Sequence, residues 1–194
     1  MADVSNQTIA KISRGLPIRV YLNPTINTDG TITLTASGTL DGTAHVNAKE
    51  IGYTQDGFEL TRSTTVEGLP TDQTKDEVVN SLAGQDVRLK TTMLQIRDYA
   101  NLVLLNPGMV AVTGTGFSGI ADNDSTVIAT CAVACVAPTP NDATKFKVII
   151  GYACYNVAPF NEKLAREYNR TPLELKVVNA GRTDRRTFFS YETV

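Results

Sequence analysis

The chain carries few groups that could do chemistry, and their spacing decides what each could be. His45 is the only histidine among 194 residues. A general base needs a nucleophile beside it. No serine or cysteine in the sequence forms such a pairing with His45, which reads as a polar loop residue. The three cysteines are Cys131, Cys135 and Cys154. The CAVAC spacing matches no zinc pattern, and an odd count does not suggest a disulfide framework. On a strand, Cys131 and Cys135 would share a face about 13 Å apart at ~3.3 Å per residue, too far to bond. They read as small buried hydrophobes, with a bridge between subunits as the alternative.

GTGFSG (114–119) matches the string of a dinucleotide loop and follows the strand-like MVAVT. The pyrophosphate needs a helix starting at those glycines. IADNDST is a poor helix start, so a glycine turn between strands is expected. A nucleotide-binding enzyme is the distant alternative, and it requires a helix from about Gly119. ADNDS (121–125) opens like a calcium loop, but Val127 and Val133 stand where glycine and glutamate are needed. RTDRR (182–186) reads as a solvated hairpin tip. Asp72, Asp76 and Glu77 cluster beside Lys75 and Gln73, as a solvated stretch does. These residues assemble no active site, no metal site and no cofactor site, and the expectation is a non-enzyme.

Composition sets the frame for those residues. Lysine and arginine total 18 against 20 acidic residues, a formal charge of −2, which argues against a chain that grips nucleic acid. The longest apolar run, VIATCAVACVA, is too short for a membrane helix. The N-terminal residues lack the apolar stretch of a signal peptide. A protein folded in a cytoplasm as one domain, 1–194, is expected.

Strand patterns dominate. LPIRVYL (16–22), GTITLTASGTL (30–40), GFELTRSTTV (57–66), DVRLKTTML (86–94), MVAVT (109–113), STVIATCAVACVA (125–137) and KFKVIIGYACYNV (145–157) all read as strands. LELKVV (173–178) and RRTFFSYE (185–192) read as a closing hairpin. Helix is expected at QIRDYANLVLL (95–105), stopped by Asn106-Pro107-Gly108, and at NEKLAREYN (161–169), with one turn in TKDEVVNSL (74–82). The total is about ten strands with one or two short helices. Between GFELTRSTTV and DVRLKTTML lies EGLPTDQTKDEV, a polar connection far longer than a hairpin loop needs.

Residues 51–105 resemble the tube domain of tailed-phage tail tube proteins (major tail proteins). IGYTQDGFEL resembles that family's turn into a long strand, PTDQTKDEV its segment after that strand, LAGQDVRLKTTML its glycine turn and next strand, and QIRDYANLVLL its short helix. PLELKVVNAGRTDRRTFFSYE resembles its closing strand pair. The family usually carries a proline after the DQ pair, where TKDEVV stands here, and 107–145 has no counterpart.

The resemblance implies a β-sandwich or half-barrel with a flanking helix. Hexameric rings would join their inner sheets into one continuous barrel and stack into a tube in the virion, assembled in the host cytoplasm. Its contents would be phage DNA and the tape measure protein, passed without specific binding. Tail tip and terminator proteins would be its other partners, and no membrane would be involved. A related tube or hub protein of a contractile particle or tail tip is the near alternative. No appended immunoglobulin-like domain is expected. Pro70, Asp72, Gln73, Lys75, Asp76 and Glu77 become candidate subunit-interface residues in a loop. Glu59, Thr61, Ser63 and Thr65 become lumen-facing candidates, with Phe58, Leu60 and Val66 turned inward. Arg88 and Lys90 join the lumen face, and there they need carboxylates to balance them.

Overall fold

In the computed structural model the chain is described at residues 18–54, 57–71, 74–93, 103–122, 128–139, 142–159 and 171–194. Ten strands order these residues: β1 (Arg19–Leu22), β2 (Lys49–Tyr53), β3 (Glu59–Thr71), β4 (Thr74–Met93), β5 (Met109–Gly114), β6 (Phe117–Asp122), β7 (Cys131–Thr139), β8 (Asp142–Asn156), β9 (Thr171–Val177) and β10 (Phe188–Glu192). The protein is mainly β and antiparallel, with almost no helix among the described residues.

The main sheet runs β2-β1-β7-β8-β9-β4-β3, and β10 also pairs with β8. Thr54, just past β2, bridges to Met93 at the end of β4. That bridge brings far-apart strands of the sheet together, so the sheet wraps around its own apolar face. Inside lie Val20, Leu22, Ile51, Leu89, Val133, Cys154, Leu175 and Val177, all nearly sealed from solvent.

The outer face of the same strands carries a second core. Tyr21, Ala134, Val136, Val148, Ile150 and Tyr152 are buried there under Ile32, with Leu34, Leu40, Phe189 and Tyr191 packed at its margin. A strand buried on both faces reads as a continuous apolar run rather than as an alternation. This is why CAVACV and KVIIGYAC look uniform in the sequence.

Several expectations are corrected here. GTITLTASGTL is not a strand. It forms turns with a single Leu34–Leu40 bridge, because its threonines find local partners (Thr35 Oγ1 lies 2.6 Å from Thr39 Oγ1). Its segment is held down by side chains from elsewhere. The Tyr152 hydroxyl donates to the Gly30 carbonyl at 3.1 Å, and the Ile32 N–H donates to the Tyr191 hydroxyl at 3.0 Å. His45 is the loop residue expected, but it is buried. It is 4% exposed. Its Nδ1 accepts from the Thr25 N–H at 2.9 Å, and its Nε2–H donates to the Thr33 carbonyl at 2.8 Å. With both nitrogens engaged, it works as a staple across the loop.

TKDEVVNSL is strand, not helix, and lies within β4. β9 and β10 do not form a hairpin with each other; both pair with β8. The strand expected from residue 125 begins at Cys131. Helix is described at 103–105, the end of the expected QIRDYANLVLL helix. Residues 94–102 and the expected helix at 161–169 lie outside the described residues. The stop after Leu105 is fixed by a buried amide pair, in which Asn156 Nδ2 donates to Asn106 Oδ1 at 2.7 Å.

The cysteines are all buried free thiols. Burial pushes the Cys131 thiol up to about 11, and it raises Cys135 and Cys154 well above the usual thiol range. Thiols this shielded and this weakly acidic are poor nucleophiles, and in the folded subunit they are not presented to a neighbouring copy.

Candidate assembly interface

The residues expected to form a long polar loop are instead a ribbon. β3 and β4 pair without interruption of the ladder's order from Glu59–Lys90 out to Thr71–Thr74. Asp72 and Gln73 lie outside the described residues, while Pro70, Lys75, Asp76 and Glu77 belong to strands rather than to a loop. The register shifts between Thr65 and Val66 and on both sides of Pro70. Each shift leaves extra residues on β4, one at each of the first two and two (Lys75 and Asp76) at the last, as β-bulges do. Proline is tolerated because β3 is an edge strand and needs no donor on its outer side.

The ribbon leaves the body at a definite point. Phe58 and Leu60 still pack on the inner core. β4 pairs with β9 only from Val87 to Met93. Beyond this, Thr61 through Thr65 are exposed on both faces, and so are Gly84 and Gln85. Thr61 and Arg62 lie opposite Arg88 and Val87, so the exposed stretch begins where β4 leaves β9. From Arg62 to Thr71 the arm reaches roughly 30 Å at about 3.3 Å per residue.

At the base of the arm, the register collects the other candidates onto one face. Directly opposite residues share a face. Glu59 faces Lys90, Thr61 faces Arg88, Ser63 faces Asp86 and Thr65 faces Gly84. The same face continues onto β9, where Glu174 lies opposite Lys90 and Lys176 opposite Arg88. Glu59, Thr61, Ser63, Thr65, Arg88 and Lys90 thus come together on one polar surface.

The carboxylates that Arg88 and Lys90 require are present. Arg88 Nη1 donates to Glu174 Oε1 at 2.6 Å and its Nε to Asp86 Oδ2 at 2.6 Å. Lys90 Nζ is 3.5 Å from Glu174 Oε1. Three acids (Glu59, Asp86, Glu174) match three bases (Arg88, Lys90, Lys176), so the face carries no net charge. Asp86, Glu174 and Lys176 are members that sequence reasoning missed. The signal for the last two was the alternation in LELKV, where Glu174 and Lys176 stand between the buried Leu173, Leu175 and Val177.

The ion pairs set an acid limit on stability. Hydrogen bonding from Arg88 holds the Glu174 carboxyl below its usual range. Arg182 does the same for Asp184. The Thr31 N–H and hydroxyl lower Asp29, and the Thr144 hydroxyl and N–H lower Asp142. A carboxyl depressed in the folded state contributes stability above its unfolded pKa and loses it as pH falls through the folded value. Thermal unfolding should therefore give a level Tm from neutral pH down to about pH 5 and a falling one below about pH 4. Glu174→Gln should flatten that fall, and a Tm that rises on acidification would contradict this assignment.

The remaining motifs form no site. GTGFSG is the turn of the β5–β6 hairpin. Gly114 pairs with Phe117, Gly116 has φ of +85°, and Gly119 lies inside β6. No helix starts there, so the geometry a pyrophosphate needs is absent. A groove of about 350 Å³ lies beside the polar face between Phe58, Lys90, Ala158, Pro172 and Leu173. Among the described residues it holds no cysteine, serine or histidine, and its Lys90 is already paired. Among the described residues no group of His, Cys, Asp or Glu could hold a metal ion, and no helix is long and apolar enough to cross a membrane. No protein-family model and no curated protein matches the chain.

Proposed function

We propose that this protein is a structural subunit that assembles with copies of itself into a hollow tube, as a phage tail tube protein does, and that the β3–β4 arm makes the contact between subunits. The observation that carries the reading is the arm. A two-stranded ribbon is marginal in water on its own, and from Thr61 to Thr65 neither face is covered. Exposed edges of this length are usually blunted or covered. Here they gain a purpose if a neighbouring copy completes them. A head-to-tail contact of this kind gives rings or open filaments.

The polar face supports the second half of the reading. It is rich in threonine and serine, and its charges cancel, which suits a lumen wall that nucleic acid and a tape measure protein slide past. Glu59, Thr61, Ser63, Thr65, Arg88 and Lys90 form that wall in this proposal. Pro70, Lys75, Asp76 and Glu77 lie toward the arm's far end and, with Asp72 and Gln73, meet the next subunit in this proposal.

Negative-stain electron microscopy across a concentration and salt series tests the reading. Rings or hollow tubes are expected at high concentration. A protein that stays monomeric throughout sinks it.

A further inference from the structure

A second open edge lies further along the same sheet. β9 and β10 sit in line along one edge of β8, β9 against Cys154–Asn156 and β10 against Lys147–Gly151. β4 flanks β9 but parts from it at Val87. Among the described residues, no strand occupies the lane beside β10.

The direction of each backbone group in β10 follows from its two ends. The Tyr152 N–H donates to the Thr187 carbonyl at 3.1 Å, and the Thr193 N–H donates to the Phe146 carbonyl at 2.9 Å. In an antiparallel ladder, hydrogen-bonded pairs alternate with pairs whose groups point away. Thr187, Phe189, Tyr191 and Thr193 therefore face β8, and Phe188, Ser190 and Glu192 point their N–H and C=O groups outward. The register from Phe188–Gly151 to Glu192–Lys147 is unbroken. The strand has no proline, no bulge and no lysine to discourage pairing.

We propose that this edge of β10 is a strand-addition site for the arm of a second copy, so that β3 or β4 of one subunit extends the sheet of the next. This inference rests on the tube reading and names its acceptor. The occupant is argued from fit. The arm has two open edges, the outer side of β3 and the side of β4 from Thr74 to Asp86, and it needs a further strand. A strand with an open edge and a ribbon with open edges, carried by the same chain, make a contact that repeats from copy to copy. Main-chain bonds would supply affinity, as in other strand additions.

Ser190→Pro tests it. The substitution removes an outward N–H and leaves every bond to β8 in place. The subunit is expected to keep its circular dichroism and Tm, while the concentration needed for assembly rises by at least about tenfold. Hydrogen exchange supplies a second readout that does not depend on a variant. The amides of Phe188, Ser190 and Glu192 should exchange quickly in the dilute subunit and slowly in the assembly, whereas Phe189 and Tyr191 are protected in both. Outward amides already protected in the dilute subunit mean that the chain fills its own edge, and overturn the proposal. Tubes in which those amides still exchange quickly overturn it and leave the tube reading standing. A wild-type protein that never assembles overturns the tube reading, and this inference falls with it.

Discussion

Gly151→Val should be the most damaging single substitution in the body of the protein. Gly151 sits in β8 opposite Val133, with its missing side chain aimed at the inner core. A Cβ there would collide with Cys154 Sγ, come within 3.1 Å of Leu89 Cδ1 and lie 3.4 Å from Val177 Cγ2. Leu89 and Cys154 are fully buried and Val177 nearly so, so none can swing into solvent.

Overpacking a filled core costs about 1–3 kcal/mol, and valine adds two further methyl groups to the same site. The expected loss is about 2–3 kcal/mol for alanine and 4 kcal/mol or more for valine, read as a lower urea midpoint at constant slope. The cause can be separated from a general intolerance. Cys154→Ala removes the sulfur that the new Cβ meets, so alanine at 151 should cost markedly less in that background than in the wild type. Such non-additivity is expected of residues in contact. Equal costs in the two backgrounds would show that the collision with Cys154 is not what makes glycine necessary.

What the sequence made legible depended on how local the cause was. β3 up to Leu60, β4 from Val87, and β9 alternate because one face meets the inner core and the other meets water, and each could be read without knowing its neighbour. The 30–40 segment alternates equally well but lies over the sheet as turns. Periodicity reports which residues can be buried, not whether a strand edge is available to pair with. The burial of His45 is not legible in the sequence because its partners, Thr25 and Thr33, are set by the path of a loop that has no periodic signature.

The same limit hid the pairing of β10. A hairpin across NAGRTD is the shorter solution in sequence. Yet β8 is long enough to offer one stretch of its edge to β9 and another to β10, and the loop between them is filled by Arg182, stacked 4.3 Å over the Tyr152 ring. The polar face was half legible. Glu59, Thr61, Ser63 and Thr65 announce themselves by alternation within β3. That Arg88 is held by Glu174 required the register of a strand 86 residues away.

The arm was misread for a physical reason, and correcting the reading gives the second prediction. Gly68, Pro70 and the charges of DQTKDE all lower β-propensity, so 67–78 looked like a connection. The ladder in fact extends on both sides of residues 72–73, and its root at Thr61–Thr65, Gly84 and Gln85 is exposed. An arm with so exposed a root should be removable without unfolding the subunit. Replacing residues 64–85 by Asn-Gly joins Ser63 to Asp86, which are already directly opposite, through a two-residue turn suited to antiparallel strands. The body keeps Phe58, Leu60, Val87 and Leu89, and with them the inner core. A Tm within a few degrees of the wild type is expected, since surface changes away from packed features usually cost under about 0.5 kcal/mol. Assembly should be abolished at every concentration at which the full-length arm supports it, as judged by sedimentation and negative-stain imaging. A shortened protein that unfolds would place the arm in the fold rather than at an interface. One that forms tubes as readily as the wild type would remove the observation on which the tube reading rests. The single-residue tests sharpen this further. If strand pairing carries the contact, charge changes at Lys75, Asp76 and Glu77 should shift its salt dependence while leaving assembly possible, because main-chain bonds persist when side chains change.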